Sequence, residues 1–178
     1  MSIMVGRPVP HVSVEAYVRD EAEAMRLSPR DFHGSWVVLF FYPRDFTFVC
    51  PTELQAFSEL HDDFEAEDAV LLAASTDSYW SHKAWFESHL LLRGVRFPVL
   101  ADTAHDLAEA CGVLLPDGSA LRATLIVDPD GVVRHMSVTD NNVGRSPDET
   151  LRVLQALRTG DLCPVGWRPG QPTLAKAA

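Results

Sequence analysis

Cys50 is the residue of this sequence whose surroundings most clearly indicate chemistry. It follows a continuously apolar run at residues 36–42 and precedes an amphipathic pattern in which Leu54 and Phe57 have helical spacing. Unpaired N–H groups and the positive dipole end at a helix N-terminus stabilise a thiolate relative to a thiol. The sequence therefore predicts a nucleophilic cysteine; the alternative is inert packing, the commonest role of a lone buried cysteine.

Two residues near Cys50 favour the reactive interpretation. Thr47 can hold a hydroxyl next to the sulfur, and Pro43 can shield the sulfur from water. Ionisation of a thiol by itself accelerates attack only about thirtyfold. Fast attack on a substrate therefore also requires groups that polarise the bond being broken, such as a hydroxyl and a guanidinium.

The other cysteines, Cys111 and Cys163, bring the total to an odd and small number, three, which argues against a secreted disulfide framework. There is no CxxC pair and no Cys/His spacing typical of zinc, so we expect reduced thiols and no metal site. Cys163 follows the last predicted helix, in a segment that could swing or unwind to bring its sulfur to Cys50; the alternative is an idle thiol in the tail. Cys111 ends a packed helix, where a small apolar packing role is the simplest interpretation.

Composition excludes several classes of function. The 178 residues are 47% hydrophobic and 22% charged, as in one ordinary folded domain. Fifteen basic and 25 acidic residues give a net charge of −10, which disfavours nucleic acid and anionic membranes as partners. The longest apolar run has seven residues, whereas a membrane span needs roughly 20. The first residues, MSIMVGRPVP, lack a signal-peptide core, so we expect a cytoplasmic protein.

The elements that must position these residues follow from the apolar patterns. Strands are predicted at residues 12–18, 36–42, 69–74, 97–100, 121–127 and 132–138, and helices at 51–64, 80–92, 104–110 and 147–159. Residues 128–131 form a hairpin turn by composition, and Ser146 and Gly160 are the predicted ends of the last helix. This order predicts an α/β, thioredoxin-like fold: a mixed sheet flanked by helices, with N-terminal and mid-chain additions. We expect one domain over residues 1–165 and a C-terminal tail over residues 166–178, which is loosely held after Trp167.

The pattern Pro43-x-x-x-Thr47-x-x-Cys50, within FYPRDFTFVCPTE, resembles the active-site motif of the peroxiredoxins. The resemblance is to the group that contains the bacterial alkyl hydroperoxide reductase C subunit and the typical 2-Cys enzymes. It covers nearly the whole chain, with further family-like segments, in family order, at residues 75–85, 97–102, 122–128, 143–146 and 163–167. It implies a thiol peroxidase that reduces hydrogen peroxide and organic hydroperoxides without a metal or an organic cofactor.

The resemblance also implies roles for the residues around the motif. Cys50 would be the peroxidatic cysteine, whose thiolate attacks a peroxide oxygen and becomes a sulfenic acid. Thr47 and Arg122 would orient the peroxide and stabilise the leaving oxygen. Pro43 would wall off the pocket.

Three charged residues have ordinary interpretations when the resemblance is set aside. Arg122 lies in an apolar strand pattern, as an edge-strand arginine with its head in solvent would. Arg145 precedes a helix, where a solvated side chain is expected, and Glu53 can complement the dipole of its helix. The resemblance instead implies that Glu53 and Arg145 position Arg122.

For Cys163, the resemblance implies the role of a resolving cysteine supplied by the other subunit of a homodimer, which could assemble into a decameric ring. The resulting intersubunit disulfide would be recycled by thioredoxin or by a dedicated flavoprotein disulfide reductase. A holding chaperone or peroxide sensor is the alternative from another class of function. A thioredoxin-like disulfide reductase is disfavoured because Val49-Cys50-Pro51-Thr52 lacks a second cysteine.

Two further expectations concern robustness and the histidines. Members of the family that are easily inactivated by peroxide carry a Gly-Gly-Leu-Gly segment and a C-terminal Tyr-Phe pair. This sequence has neither, which predicts resistance to overoxidation.

His82, His89 and His105 form no metal-ligand pattern, and we expect them to be surface residues.

Overall fold

The computed structural model describes residues 3–176, and within this range seven strands form one mixed sheet. In chain order they are β1 Val14–Tyr17, β2 Met25–Leu27, β3 Trp36–Phe41, β4 Ala69–Ser75, β5 Val99–Ala101, β6 Arg122–Val127 and β7 Val133–Thr139. Their order in space is β2-β1-β5-β4-β3-β6-β7. Strands β3, β4 and β5 are mutually parallel neighbours, whereas β1, β2, β6 and β7 pair antiparallel.

Helices flank this sheet, which confirms the predicted α/β, thioredoxin-like class. The α-helices are α1 Cys50–Glu59, α2 His61–Ala66, α3 Tyr79–Ser88, α4 Asp106–Ala110 and α5 Pro147–Thr159. Short 3₁₀ helices occur at Pro29–Phe32 and Leu90–Leu92. Over residues 3–176, no helix combines the length and apolarity that crossing a membrane requires.

Strand β3 is central and explains the position of the site. Its residues 37–41 are buried, and successive side chains enter two cores on opposite faces of the sheet. On one face, Phe40 stacks on Phe57 of α1, with ring centroids 4.1 Å apart. Antiparallel β6 pairs with β3 in a register that places Thr124 opposite Phe40. Arg122, two residues earlier in β6, therefore lies at the end of the sheet where β3 ends. At this end the chain turns towards Cys50.

Local details differ from the sequence predictions at several boundaries. The predicted helix over residues 51–64 is two helices, because Leu60 has non-helical backbone angles (φ −95°, ψ 12°). The predicted helix over residues 80–92 ends at Ser88, and a 3₁₀ turn follows. Strand β2 and the 3₁₀ helix that follows it were not predicted; β2 pairs with β1 at the edge of the sheet.

The expectation of a loosely held tail is wrong for the part of the tail that the structure describes. The tail folds back on the chain: the amide of Leu162 donates to Ala175 O at 2.7 Å, and that of Leu174 donates to Leu162 O at 2.8 Å. Trp167 is buried, and its indole N–H donates to Gln171 O at 3.0 Å. These bonds hold the tail against the segment that contains Cys163. Residues 177 and 178, the end of the predicted tail, lie outside the described residues.

Candidate active site

Cys50 is the first residue of α1, as the sequence pattern predicted. Val49, the residue at the N-cap, has no side-chain oxygen and makes no capping hydrogen bond, so no side chain competes for the first N–H groups of the helix. Cys50 is a free thiol and is fully buried. The positive end of the helix dipole therefore acts on its sulfur in an environment where water screens charges only weakly.

Arg122 brings a positive charge to this sulfur. Its Nη1 lies 3.4 Å from Cys50 Sγ, and its Nε donates to Asn141 O at 3.0 Å. Arg122 is only 3% exposed, and β6 lies between β3 and β7. The edge-strand interpretation of Arg122 is therefore wrong: the guanidinium points into the site and lies against the sulfur.

Glu53, one helical turn after Cys50, holds two arginines. Its carboxylate accepts from Arg122 Nη1 at 2.5 Å, and from Arg145 Nε at 2.8 Å and Nη2 at 3.1 Å, as well as from the backbone amide of Arg145 at 2.7 Å. Burial by itself would raise the pKa of Glu53, but the hydrogen bonds and charge of Arg145, together with the charge of Arg122, outweigh burial and lower it. Glu53 is thus ionised at neutral pH and bridges two cations.

Arg145 is fixed from several directions in addition to Glu53. Its Nη1 donates to Ala123 O at 2.8 Å and to Thr124 Oγ1 at 3.3 Å, and its guanidinium carbon lies 5.5 Å from the centre of the Phe40 ring. The side chain is 5% exposed, so the solvated interpretation of Arg145 is wrong. The arrangement is a buried Arg–Glu–Arg triad beside the Cys50 sulfur.

Thr47 and Pro43 lie in the loop between β3 and α1. Both are half-buried. The hydroxyl of Thr47 donates to Arg44 O at 2.9 Å, rather than to the sulfur of Cys50. The structure thus brings Arg122 into direct contact with both Cys50 and Glu53 and places Thr47 on the adjoining loop.

The remaining cysteines have separate surroundings. Cys163 is half-buried after α5, with its sulfur 3.4 Å from Thr159 Oγ1 and 3.7 Å from Ala156 O. Cys111 is fully buried in the core on the face of the sheet opposite to Cys50. Burial, followed by the charge of Asp102, raises the pKa of Cys111 to about 12, which makes this thiol unreactive at neutral pH.

The prediction of a surface position is wrong for His82. This histidine is fully buried on α3, and its Nδ1 lies 2.8 Å from Asp45 Oδ2, directly beneath the loop that precedes Cys50. A signal was present in the sequence, because His82 is three residues before Trp85 and four before Phe86, on the apolar face of the same helix. Two other residues of this region were not predicted: Asp45, which lies in this loop, and Asn141, whose carbonyl oxygen accepts from Arg122 Nε.

Comparison with known proteins assigns this chain to a family. The model of the AhpC/TSA family matches residues 5–136. The chain belongs to this family. The model of the C-terminal domain of 1-Cys peroxiredoxin matches residues 156–178, a segment that here contains Cys163.

Individual peroxiredoxins agree with the family assignment. Alkyl hydroperoxide reductase C of Mycolicibacterium smegmatis is 48% identical over 149 residues, which cover 84% of this chain and 76% of that protein. Peroxiredoxin prdx-2 of Caenorhabditis elegans is 46% identical, covering 96% and 88%. The crystal structure of reduced Plasmodium vivax 2-Cys peroxiredoxin superposes with a TM-score of 0.92 at 33% identity, covering 97% and 93%. The chain is therefore a peroxiredoxin: a thiol-dependent peroxidase and an oxidoreductase.

Proposed function

We propose that Cys50 is the peroxidatic cysteine of this peroxiredoxin. Its thiolate attacks one oxygen of a hydroperoxide, the O–O bond breaks, and Cys50 becomes a sulfenic acid. The second oxygen leaves with the bonding electrons, takes a proton and departs as water or as an alcohol. The observation that carries this proposal is the 3.4 Å contact between Arg122 Nη1 and Cys50 Sγ at the N-terminus of α1.

Arg122 assists both the attack by the thiolate and the departure of the second oxygen. Its charge stabilises the attacking thiolate, and its donors stabilise the negative oxygen that develops as the O–O bond breaks. Glu53 and Arg145 are positioning residues that hold Arg122 through the buried triad. Thr47 is proposed to turn its hydroxyl from Arg44 O to the peroxide when substrate binds, and Pro43 to limit water at the pocket.

We propose that Cys163 of a partner subunit resolves the sulfenic acid. Its thiolate would attack the sulfur of Cys50, releasing water and leaving an intersubunit disulfide. Apolar residues beside both cysteines support an assembled form: Phe48 is 95% exposed two residues before Cys50, and Val165 is fully exposed two residues after Cys163. A homodimer would cover such residues, and a decameric ring could form from dimers.

The disulfide must be reduced for the next turnover. We propose that a dithiol protein carries out this step, either thioredoxin or a dedicated flavoprotein disulfide reductase, and that hydrogen peroxide and organic hydroperoxides are the substrates. A disulfide that is only a step in a cycle suits a reducing compartment such as the cytoplasm.

Peroxide consumption by the wild type, Cys50→Ser and Cys163→Ser tests this scheme, with thioredoxin and the flavoprotein supplied in turn. Multiple turnover of the wild type with one reductant, no reaction of Cys50→Ser, and a single turnover of Cys163→Ser are the expected results. Full recycling of Cys163→Ser by the same reductant would contradict the proposed resolving step and indicate a one-cysteine cycle. Oxidation of the wild type without catalytic turnover would instead favour a peroxide sensor.

A further inference from the structure

A cluster of buried polar side chains lies beneath the loop over residues 43–49, outside the contacts of Cys50 with Arg122. We call Tyr42, Asp45, Ser81 and His82 the loop anchor. The Asp45 carboxylate accepts from the Tyr42 hydroxyl at 2.7 Å, from the Ser81 hydroxyl at 2.7 Å, and from His82 Nδ1 at 2.8 Å. The side chains of His82 and Asp45 are 0% and 1% exposed.

Hydrogen-bond partners hold the side chains of His82 and Tyr42 in place. His82 Nδ1 faces the carboxylate, and His82 Nε2 lies 3.3 Å from Leu100 O, which can only accept. Both ring nitrogens therefore have polar partners, and His82 Nδ1 also lies 3.3 Å from the Tyr42 hydroxyl. Burial, reinforced by the adjacent Asp45 carboxylate, raises the pKa of Tyr42 well above its usual value, so its hydroxyl remains a donor.

A buried carboxylate of this kind is stable only while all its hydrogen-bond partners stay in place, because an unpaired charge in the interior is costly. The loop anchor therefore ties the loop to α3 at one defined position. Two further contacts act on the same part of the loop: the amide of Asp45 donates to Asp77 Oδ2 at 2.9 Å, and the ring of Phe46 lies 5.8 Å from that of Trp85. Phe46 has a left-handed backbone (φ 55°), a conformation that the surrounding contacts must maintain.

We propose that the loop anchor positions the peroxide-binding loop for attack by Cys50. Pro43 precedes Asp45 by two residues and Thr47 follows it by two, so the position of Asp45 determines where both lie relative to the sulfur. The side-chain hydrogen bonds described for the loop anchor reach neither Cys50 nor Arg122, so these residues act through the loop. This inference rests on the proposed role of Cys50.

Asp45→Asn tests the proposal, because it removes the carboxylate charge with little change of shape. Rapid mixing with hydrogen peroxide, quenching by thiol alkylation and mass spectrometry separate two rate constants: oxidation of Cys50 and condensation of its sulfenic acid with Cys163. We expect oxidation to slow by about 10- to 100-fold, because small misplacements of positioning groups cost that much. Condensation, which requires no positioned peroxide, should not slow.

Asp102→Asn is the matched control. Asp102 is also a fully buried carboxylate, and it accepts from the amides of Leu107 and Ala108 rather than from the loop. We expect this variant to keep both rate constants within about twofold of wild type even where its Tm falls. Tyr42→Phe removes one of the three bonds to Asp45 and serves where Asp45→Asn does not fold, with an expected slowing of oxidation of about fivefold.

Oxidation of Cys50 at the wild-type rate in Asp45→Asn, or in Tyr42→Phe when only that variant folds, would overturn the proposal. Equal slowing of oxidation and condensation, shared by Asp102→Asn, would also overturn it, since it would indicate a general loss of stability. Failure of the wild type itself to oxidise at Cys50 would instead overturn the proposed function.

Discussion

Replacing Glu53 by glutamine tests the Arg–Glu–Arg triad quantitatively. The change keeps the side chain's shape but removes the negative charge between Arg122 and Arg145, whose side chains are 3% and 5% exposed. Two guanidinium groups would then face each other in a nearly dry site, a loss of about 3–5 kcal/mol from the free energy of unfolding. For a domain of this size each kcal/mol lowers Tm by about 2–4 °C, so Tm should fall by about 6–20 °C.

Catalysis should fall as well in Glu53→Gln. Arg122 Nη1 donates to both Glu53 and the Cys50 sulfur, and without the carboxylate the guanidinium is no longer held at that sulfur. We expect kcat/KM for hydrogen peroxide to fall about 100-fold. A stopped-flow peroxidase assay measures this loss on protein that is still folded, well below the lowered Tm.

Glu149→Gln is the control for the triad. Glu149 also binds an arginine, with its Oε2 2.7 Å from Arg152 Nε, but its side chain is 60% exposed, so the pair contributes at most about 1 kcal/mol. Thermal melts at equal protein concentration should show a Tm change below about 4 °C for this variant. An equal loss of Tm in both variants, or Glu53→Gln within about 2 °C of wild type, would refute the argument for the triad.

Three further outcomes follow from the same structure. The folded state lowers the pKa of Glu53 from its ordinary value of 4.5. The stability that the ionised carboxylate contributes is therefore present above pH 4.5 and is lost as pH falls through the lowered pKa. Tm measured against pH should decline more steeply below about pH 4.5 in wild type than in Glu53→Gln. Cys111, with its pKa raised to about 12, should resist iodoacetamide in the native protein, and labelling as fast as that of Cys163 would contradict its burial. Mass spectrometry after millimolar peroxide should find little sulfinic acid at Cys50, and rapid conversion would contradict the predicted resistance to overoxidation.

Features that depend on neighbouring residues in the chain could be predicted from the sequence. The position of Cys50 at a helix start was predictable because an apolar strand and a helical pattern adjoin it in the chain. The ends of α5 were predictable for the same reason: Ser146 accepts from the amide of Glu149, and Gly160 has the left-handed backbone (φ 66°) that ends a helix. Local signals of this kind specified most of the elements.

Contacts between distant parts of the chain could not be predicted from the residue pattern alone. The head of Arg122 reaches Cys50 because of the register between β3 and β6, which spacing does not reveal, so only the family resemblance indicated its role. His82 was assigned to the surface because its partner Asp45 lies 37 residues earlier in the chain. The helical spacing with Trp85 and Phe86 could have indicated that His82 is buried, but not which group its ring binds, because that partner is determined by the fold.

Identification of the first sulfur to be oxidised shows whether Cys50 is the peroxidatic cysteine. Reduced protein is mixed with substoichiometric hydrogen peroxide, trapped with a sulfenic-acid reagent and mapped by mass spectrometry, in wild type and in Cys163→Ser. We expect sulfenic acid at Cys50 in Cys163→Ser, with Cys111 still reduced, and a disulfide between Cys50 and Cys163 of two subunits in wild type. Initial oxidation at Cys163 or Cys111, with Cys50 unchanged, would contradict this role of Cys50.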